Sequence, residues 1–214
     1  MTALVHQFPQ LQVLVFARAP RRGLVKTRLI PALGARGACE LHEKLVLHTL
    51  AMACSSMFAP VRLYCDDPAH TALEYWQKLH GALTVHRQCT GDLGEKMRHA
   101  SAETFTQTGA AHLLLIGADC PFIDRAYLQS ALDNLQRGAD VVFGPATDGG
   151  YVLLGMSALH ACLFAHIDWG SDKVLSQSIA AAEARGLSCA QLATLTDIDR
   201  PEDLPLLAGF RLSG

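Results

Sequence analysis

Short runs of hydrophobic residues alternate with longer amphipathic stretches along the chain. Gln12–Ala17 is apolar and rich in β-branched side chains, is bounded by charge and Pro20, and predicts a buried strand. A helix is expected from about Gly34 to Ser56, where Ala38, Leu41, Leu45, Met52 and Ala53 keep near-helical spacing. Pro60–Cys65 predicts a second strand. Asp66-Asp67-Pro68 reads as a turn, with Pro68 at the first position of the next helix. Leu83–His86 is a weaker strand, residues 93–108 a helix, and His112–Gly117 the strongest strand in the sequence. Asp124 predicts the cap of a helix running to about Arg137. Val141–Phe143 and Tyr151–Leu154 are strands on either side of a Gly/Pro/Asp loop. Ser171–Arg185 reads as a helix closed by Gly186, and Leu192–Leu195 as a last strand.

Strands thus alternate with helices, and the best strands are continuously apolar. That pattern belongs to a parallel sheet covered on both faces. Such sheets bind ligands at the carboxyl ends of their strands. No internal repeat or low-complexity linker divides the chain, so residues 1–214 read as a single domain.

Composition narrows the function classes. Half of the 214 residues are hydrophobic and 18% are charged, which supports a packed core and argues against disorder. A formal net charge of −2 argues against a nucleic-acid partner. No apolar run reaches the roughly 18 residues of a membrane span. Met1–Gln10 lacks the basic and apolar regions of a signal peptide. The seven cysteines are scattered with no C-x-x-C and read as reduced thiols, so a cytoplasmic location is expected.

Charge is distributed unevenly. Six Lys/Arg and no Asp/Glu precede Glu40, whereas from residue 111 onward twelve acids face six bases. Five of the early cations lie in Arg18–Arg28, directly after the first strand, and Gly23 permits a positive-φ turn there. Arg suits bidentate phosphate contacts and Lys supplies a mobile charge, so this loop is either a di- or triphosphate cradle or a solvated basic loop. It matches neither the P-loop nor the dinucleotide glycine pattern. Asp119 ends the strongest strand and is a metal-ligand candidate or a turn residue. Asp148, beside Gly149, Gly150 and Tyr151, would meet hydroxyls or metal, or else forms a hairpin turn. Asp197 and Asp199 share one face of an extended segment, ahead of a helix start at Pro201. Gly91-Asp92 opens a helix through an Asp form of the capping box with Glu95, and its glycine would allow approach of a base or sugar. Trp169 would either stack on a ligand or pack, and His42 and His48 read as structural or exposed. No G-x-S-x-G elbow or activated cysteine points to covalent hydrolysis.

Taken in order, Phe16-Ala17-Arg18-Ala19-Pro20, Gly23 to Leu29, Gly91 to Gly94, Gly117 to Pro121, Gly144-Pro145 with Asp148 to Tyr151, and Asp197 to Asp199 with Pro201 to Leu204 carry a resemblance. The chain resembles the bacterial GT-A-like glycosyltransferase family of the nucleotide-diphospho-sugar transferase superfamily, over roughly residues 11–207. It is also similar to the guanylyltransferases that activate 2-phospholactate or phosphoenolpyruvate, which share the Lys-Ser/Thr-Arg-Leu loop, the first Asp-x-Pro and the late Asp-x-Asp. The resemblance implies an α/β fold, a three-layer α/β/α sandwich with a Rossmann-like, mostly parallel mixed sheet. It implies a transferase using Mg²⁺ or Mn²⁺, a nucleoside diphosphate-sugar or nucleoside triphosphate, and a small-molecule acceptor. Glycosyl transfer is the first expectation, nucleotidyl transfer with pyrophosphate release the second, and a catalytically silent nucleotide binder the third. On this reading Asp119 and Lys26 carry catalysis, and Asp119, Asp197 and Asp199 hold metal. Arg18, Gly23, Lys26, Thr27, Arg28, Gly91 and Asp92 bind nucleotide and phosphates, while Asp148, Gly149, Gly150 and Tyr151 bind substrate. Three positions depart from the family pattern: Arg18 replaces Lys, Arg22 replaces Pro and Arg200 replaces Thr. Arg200 is expected to weaken the late carboxylate pair by an ion pair with Asp199.

Overall fold

A computed structural model describes residues 5–212. The two ends of the expected domain, residues 1–4 and 213–214, lie outside the described residues, and with them the start of the Met1–Gln10 segment. Seven strands form one sheet: β1 (Leu11–Ala17), β2 (Val61–Cys65), β3 (Thr84–Arg87), β4 (His112–Gly117), β5 (Val141–Pro145), β6 (Tyr151–Met156) and β7 (Cys189–Gln191). Their order is β3-β2-β1-β4-β6-β5-β7. β6 runs antiparallel to β4 and β5, and the other pairings are parallel. The loop between β5 and β6 is too short for a crossover, so these strands form a hairpin instead of a parallel pair.

Five helices cover the sheet: α1 (Ile30–Cys54), α2 (Thr71–Leu79), α3 (Leu93–Thr108), α4 (Arg125–Gln136) and α5 (Val174–Glu183). Alternation along β1 shows why both faces need cover. Leu11, Val13 and Val15 join one core with Val46 and Leu50 of α1, Trp76 of α2 and Leu128 of α4. Leu14 joins a second core with Met97 and Ala100 of α3 and Ala182 of α5. The result is the expected three-layer sandwich. Each fully buried Leu or Val side chain contributes about 1.5–3 kcal/mol of transfer free energy.

Of the boundaries that differ from the sequence reading, three have a clear local reason. α2 begins at Thr71, because His70 is extended and its ring nitrogen accepts the Ala72 N–H, leaving Pro68 in the preceding turn. α5 begins at Val174, after the Ser171 hydroxyl has accepted the Lys173 N–H. The last strand is Cys189–Gln191 instead of Leu192–Leu195. Its ladder with β5 ends at Phe143–Gln191, the Ala193 carbonyl instead accepts the Tyr127 hydroxyl at 2.7 Å, and only a bridge from Leu195 to Ala146 follows. All seven cysteines are free thiols. No helix among the described residues is long and apolar enough to cross a membrane.

β1 is flanked by β2 on one side and β4 on the other. The carboxyl ends of β1 and β4 therefore mark a switch point, where the diverging loops leave a crevice.

Candidate functional site

The first loop leaves β1 into this crevice and is anchored at its base. The Ala19 N–H donates to Asp66 Oδ1 (2.7 Å), and His42 Nε2 donates to the Arg18 carbonyl (2.9 Å). Burial holds His42 neutral by pushing its pKa down. Gly23 turns the chain with φ +80°. Lys26 takes the left-handed conformation, φ 46°, ψ 43°, which costs a residue with a side chain roughly 1–2 kcal/mol. Backbone strain of this kind persists only where the surrounding structure imposes it.

That surrounding structure is a small apolar cluster. Leu29, three residues after Lys26, is fully buried with Ala38, Leu45 and Ile198. The Ile198 N–H also donates to the Asp119 carbonyl at 2.9 Å. Burying Ile198 therefore leaves its two neighbours, Asp197 and Asp199, beside the first loop and the end of β4. Lys26 Nζ stands 3.3 Å from Asp119 Oδ2 and 3.5 Å from Asp199 Oδ1. The Lys26 side chain is 6% exposed, against 43% for Asp119 and 31% for Asp199. Arg28 also bonds Asp199.

Electrostatics follow from this packing. Burial disfavours the Lys26 charge, yet Asp119 and Asp199 outweigh it and hold the pKa above its ordinary value. Burial likewise opposes the Asp119 charge, and Lys26 overcomes it, holding the carboxyl below the usual range. At Asp197 the pull of Lys26 is too weak to prevail. Desolvation, with Asp119 and Asp148 nearby, pushes it up to about 6. The Asp199–Arg200 ion pair expected from sequence is not what forms. Asp199 pairs with Lys26 and Arg28, while the Arg200 N–H donates to Asp203 Oδ2 at 2.7 Å.

Two connected hollows open at the site. The larger, about 710 Å³, has Arg18, Lys26, Thr27, Arg28, Gly91 and Asp92 in its wall, with Asp119 at its floor. Gly23 does not line it and serves the turn. Asp92 sits at its rim while capping α3: its carboxylate accepts the Glu95 N–H at 2.8 Å, and its own N–H donates to Glu95 at 3.0 Å. The smaller hollow, about 300 Å³, shares Phe16, Leu93, Ala118 and Asp119 with the first and adds Asp148, Gly150, Tyr151 and Asp197. Gly149 does not line it. Its φ is +89°, and a Cβ there would lie 2.2 Å from the Asp172 carbonyl, so it serves the hairpin. Tyr151 contributes to the wall, while its hydroxyl is buried and its pKa is pushed up.

Among the described residues no three His, Cys, Asp or Glu side chains are arranged to hold a metal ion by themselves. Mg²⁺ needs only one or two carboxylates when substrate phosphates complete its shell. Asp119 and Asp197, which repel one another, are hard oxygen donors that fit such an ion.

Several lining residues carried no legible signal in the sequence. Gln88 follows the edge strand β3, and its amide donates to the Ala17 and Tyr64 carbonyls at 3.1 and 3.0 Å, which fixes its orientation in the larger hollow. His42, Asp66 and Lys96 line the same hollow. The i,i+4 spacing of Lys96 from Asp92 was the available clue for that residue. Trp169 lines the smaller hollow and also packs edge-on against Tyr151. Burial pushes the Cys120 thiol up to about 12, consistent with the absence of an activated cysteine.

A family model described as "Uncharacterized protein conserved in bacteria (DUF2064)" matches residues 49–171. No curated protein sequence matches the chain. Among solved structures, the chain is similar to a Desulfovibrio desulfuricans G20 protein described as a "putative nucleotide-diphospho-sugar transferase", with 29% identity, 93% of this chain and 86% of that one covered, and a TM-score of 0.85. It has the fold of CMP:2-keto-3-deoxy-manno-octonic acid synthetase complexed with CTP (11% identity, 93% and 97% covered, TM-score 0.59). It also has the fold of Rv0371c of Mycobacterium tuberculosis H37Rv in complex with manganese (19% identity, 94% and 98% covered, TM-score 0.57).

Proposed function

The chain belongs to the DUF2064 family, and we propose that it is a divalent-metal-dependent transferase that uses a nucleotide-activated sugar, with glycosyl transfer as its reaction. One observation carries this reading: the buried Lys26 ammonium joins Asp119 and Asp199 at the carboxyl end of β4. The similarity to a protein described as a nucleotide-diphospho-sugar transferase supports it.

The larger hollow has the size of a nucleotide site. Arg18, Lys26, Arg28 and Lys96 give it four cations for phosphates, and the exposed Leu24 and Leu93 offer apolar faces for a planar base. Glycosyl transfer breaks the bond between the anomeric carbon and a diphosphate oxygen. The acceptor oxygen bonds that carbon and gives up its proton, and negative charge grows on the departing diphosphate. Lys26 and Arg28, held beside Asp119 and Asp199, would stabilise that charge. Asp119 and Asp197 would hold Mg²⁺ or Mn²⁺, which would share the charge of the leaving phosphates, while Asp199 holds Lys26 and Arg28 beside them. Asp148 and Gly150 border the neighbouring hollow, where the transferred or accepting group belongs.

Nucleotidyl transfer from a nucleoside triphosphate is the second reading, favoured by the CTP-bound neighbour and by the Lys26-Thr27-Arg28-Leu29 run. A thermal-shift panel of nucleotides and nucleotide-sugars, with and without Mg²⁺ or Mn²⁺, followed by product analysis, decides. We expect metal-dependent stabilisation and release of a nucleoside diphosphate. Pyrophosphate release from a triphosphate would favour the second reading. No stabilisation by any nucleotide would refute both.

A further inference from the structure

We infer that Gln88 selects the nucleobase: its side-chain carbonyl, offered to the larger hollow as an acceptor only, binds bases that carry an exocyclic amino group and discriminates against uracil and hypoxanthine. This rests on the transferase reading above and names the class of nucleotide that the site takes.

Packing fixes which atom faces the ligand. In the ladder between β2 and β3, Cys65 lies opposite Arg87, so Asp66 and Gln88 follow side by side at the strand ends. The Gln88 backbone N–H donates to the Cys65 carbonyl at 2.9 Å and ties the chain down. From there the side chain reaches back, and Nε2 donates to the carbonyls of Ala17 at 3.1 Å and Tyr64 at 3.0 Å. Only the amide nitrogen can face two carbonyls, so both of its hydrogens are used. Oε1 keeps its lone pairs and accepts no hydrogen bond among the described residues. Gln88 is half-buried and lines the larger hollow. Turning the amide to offer a donor would leave the two strand-end carbonyls unpaired.

The adjoining wall has the same polarity. Asp66, whose Oδ1 accepts the Ala19 N–H at 2.7 Å, lines the hollow as a second acceptor. Arg18 stands near, and Asp66 Oδ2, 3.7 Å from its Nε, offsets its charge. Lys26 and Arg28 bond Asp119 and Asp199 on the β4 side of β1, whereas Gln88 spans the ends of β1 and β2. Phosphates and base thus have separate places on either side of the β1 end. An exocyclic amino group brings two N–H donors and no acceptor, and suits Gln88 Oε1 beside Asp66. Uracil offers one N–H flanked by two carbonyl oxygens, and hypoxanthine one N–H beside a carbonyl oxygen, so each turns an acceptor toward acceptors. A site built to pair a donor rejects the analogue that lacks it, because its own groups are then left unpaired.

Calorimetry on the full chain with Mg²⁺ tests this with matched nucleoside diphosphates: CDP against UDP, and ADP and GDP against IDP. We expect the tightest binder to carry an amino group and its partner to bind at least about fivefold more weakly, the share of one hydrogen bond. In Gln88→Met that ratio should fall to within about twofold. A purely structural role would weaken both partners alike and leave the ratio unchanged. A tightest binder that is UDP or IDP, a partner that binds equally well, or an unchanged ratio in a folded Gln88→Met protein would overturn the inference. If the variant does not fold, the comparison in the unaltered protein decides. Nucleotide binding without an amino preference strikes this inference alone, whereas failure of every nucleotide to bind strikes the transferase reading and this inference with it.

Discussion

Replacing Asp197 by Asn should stabilise the protein near pH 8 and lose that benefit near pH 4. The Asp197 carboxyl is desolvated, faces Asp119 and Asp148, and has its pKa pushed up from 3.8 to about 6. Between those two values the folded chain keeps a proton that the unfolded chain has released. Stability therefore falls as pH rises through the window, and the penalty is complete above about pH 6. A shift of about 2 units corresponds to about 3 kcal/mol. Partial contact with solvent screens this to about 1–2 kcal/mol. In a chain of this length about 1 kcal/mol moves Tm by about 2–4 °C, so the variant should melt about 2–8 °C higher near pH 8. Thermal melts of both proteins in steps from about pH 4 to 8 provide the measurement. Equal Tm values near pH 8, or a gain of the same size at both ends, would refute the reasoning. A carboxylate that costs stability inside a cleft is also what a cation-binding role requires.

Four further outcomes follow from the geometry. Lys26→Met should weaken nucleoside diphosphate binding about 10- to 100-fold in calorimetry while the far-UV spectrum stays native, because a charge-assisted hydrogen bond contributes about 1.5–3 kcal/mol. Asp119→Asn should remove the metal dependence of nucleotide binding, and unchanged Mn²⁺-dependent binding would count against its assignment. Gly94→Ala would place a Cβ 2.4 Å from Trp169 Nε1 and 2.8 Å from the Phe164 carbonyl, so a loss of about 1–3 kcal/mol in denaturant melts and a changed tryptophan emission are expected. Asp92→Ala removes the capping box of α3 and should lower stability by about 1 kcal/mol, read as a fall in Tm.

Local chemistry determined much of the molecule in advance. Apolar runs placed β1, β4 and β6, the Asp92–Glu95 spacing placed the start of α3, and Asp124 placed that of α4, because these features depend on neighbours within a few residues. The same locality made the cationic loop and the separate aspartates legible as candidates. It failed at Leu192–Leu195, where the ladder with β5 is interrupted at Ala193, whose carbonyl accepts the Tyr127 hydroxyl, and only Leu192 and Leu195 still donate to β5 carbonyls. It was silent on Gln88, which acquires a role only once β1 and β2 present their terminal carbonyls to it. Only the tertiary structure decided that Lys26 meets Asp119 and Asp199 across 93 and 173 residues of chain. Sequence spacing carries no information about such distances. They are set by burying Leu29 and Ile198 in one apolar cluster and by the β1–β4 switch point that brings the loops together. That packing also turned Asp199 toward Arg28 and away from Arg200 and left Asp197 with burial and two carboxylate neighbours that outweigh the pull of Lys26, since a carboxyl's charge state depends on what surrounds it in space and not on what adjoins it in sequence.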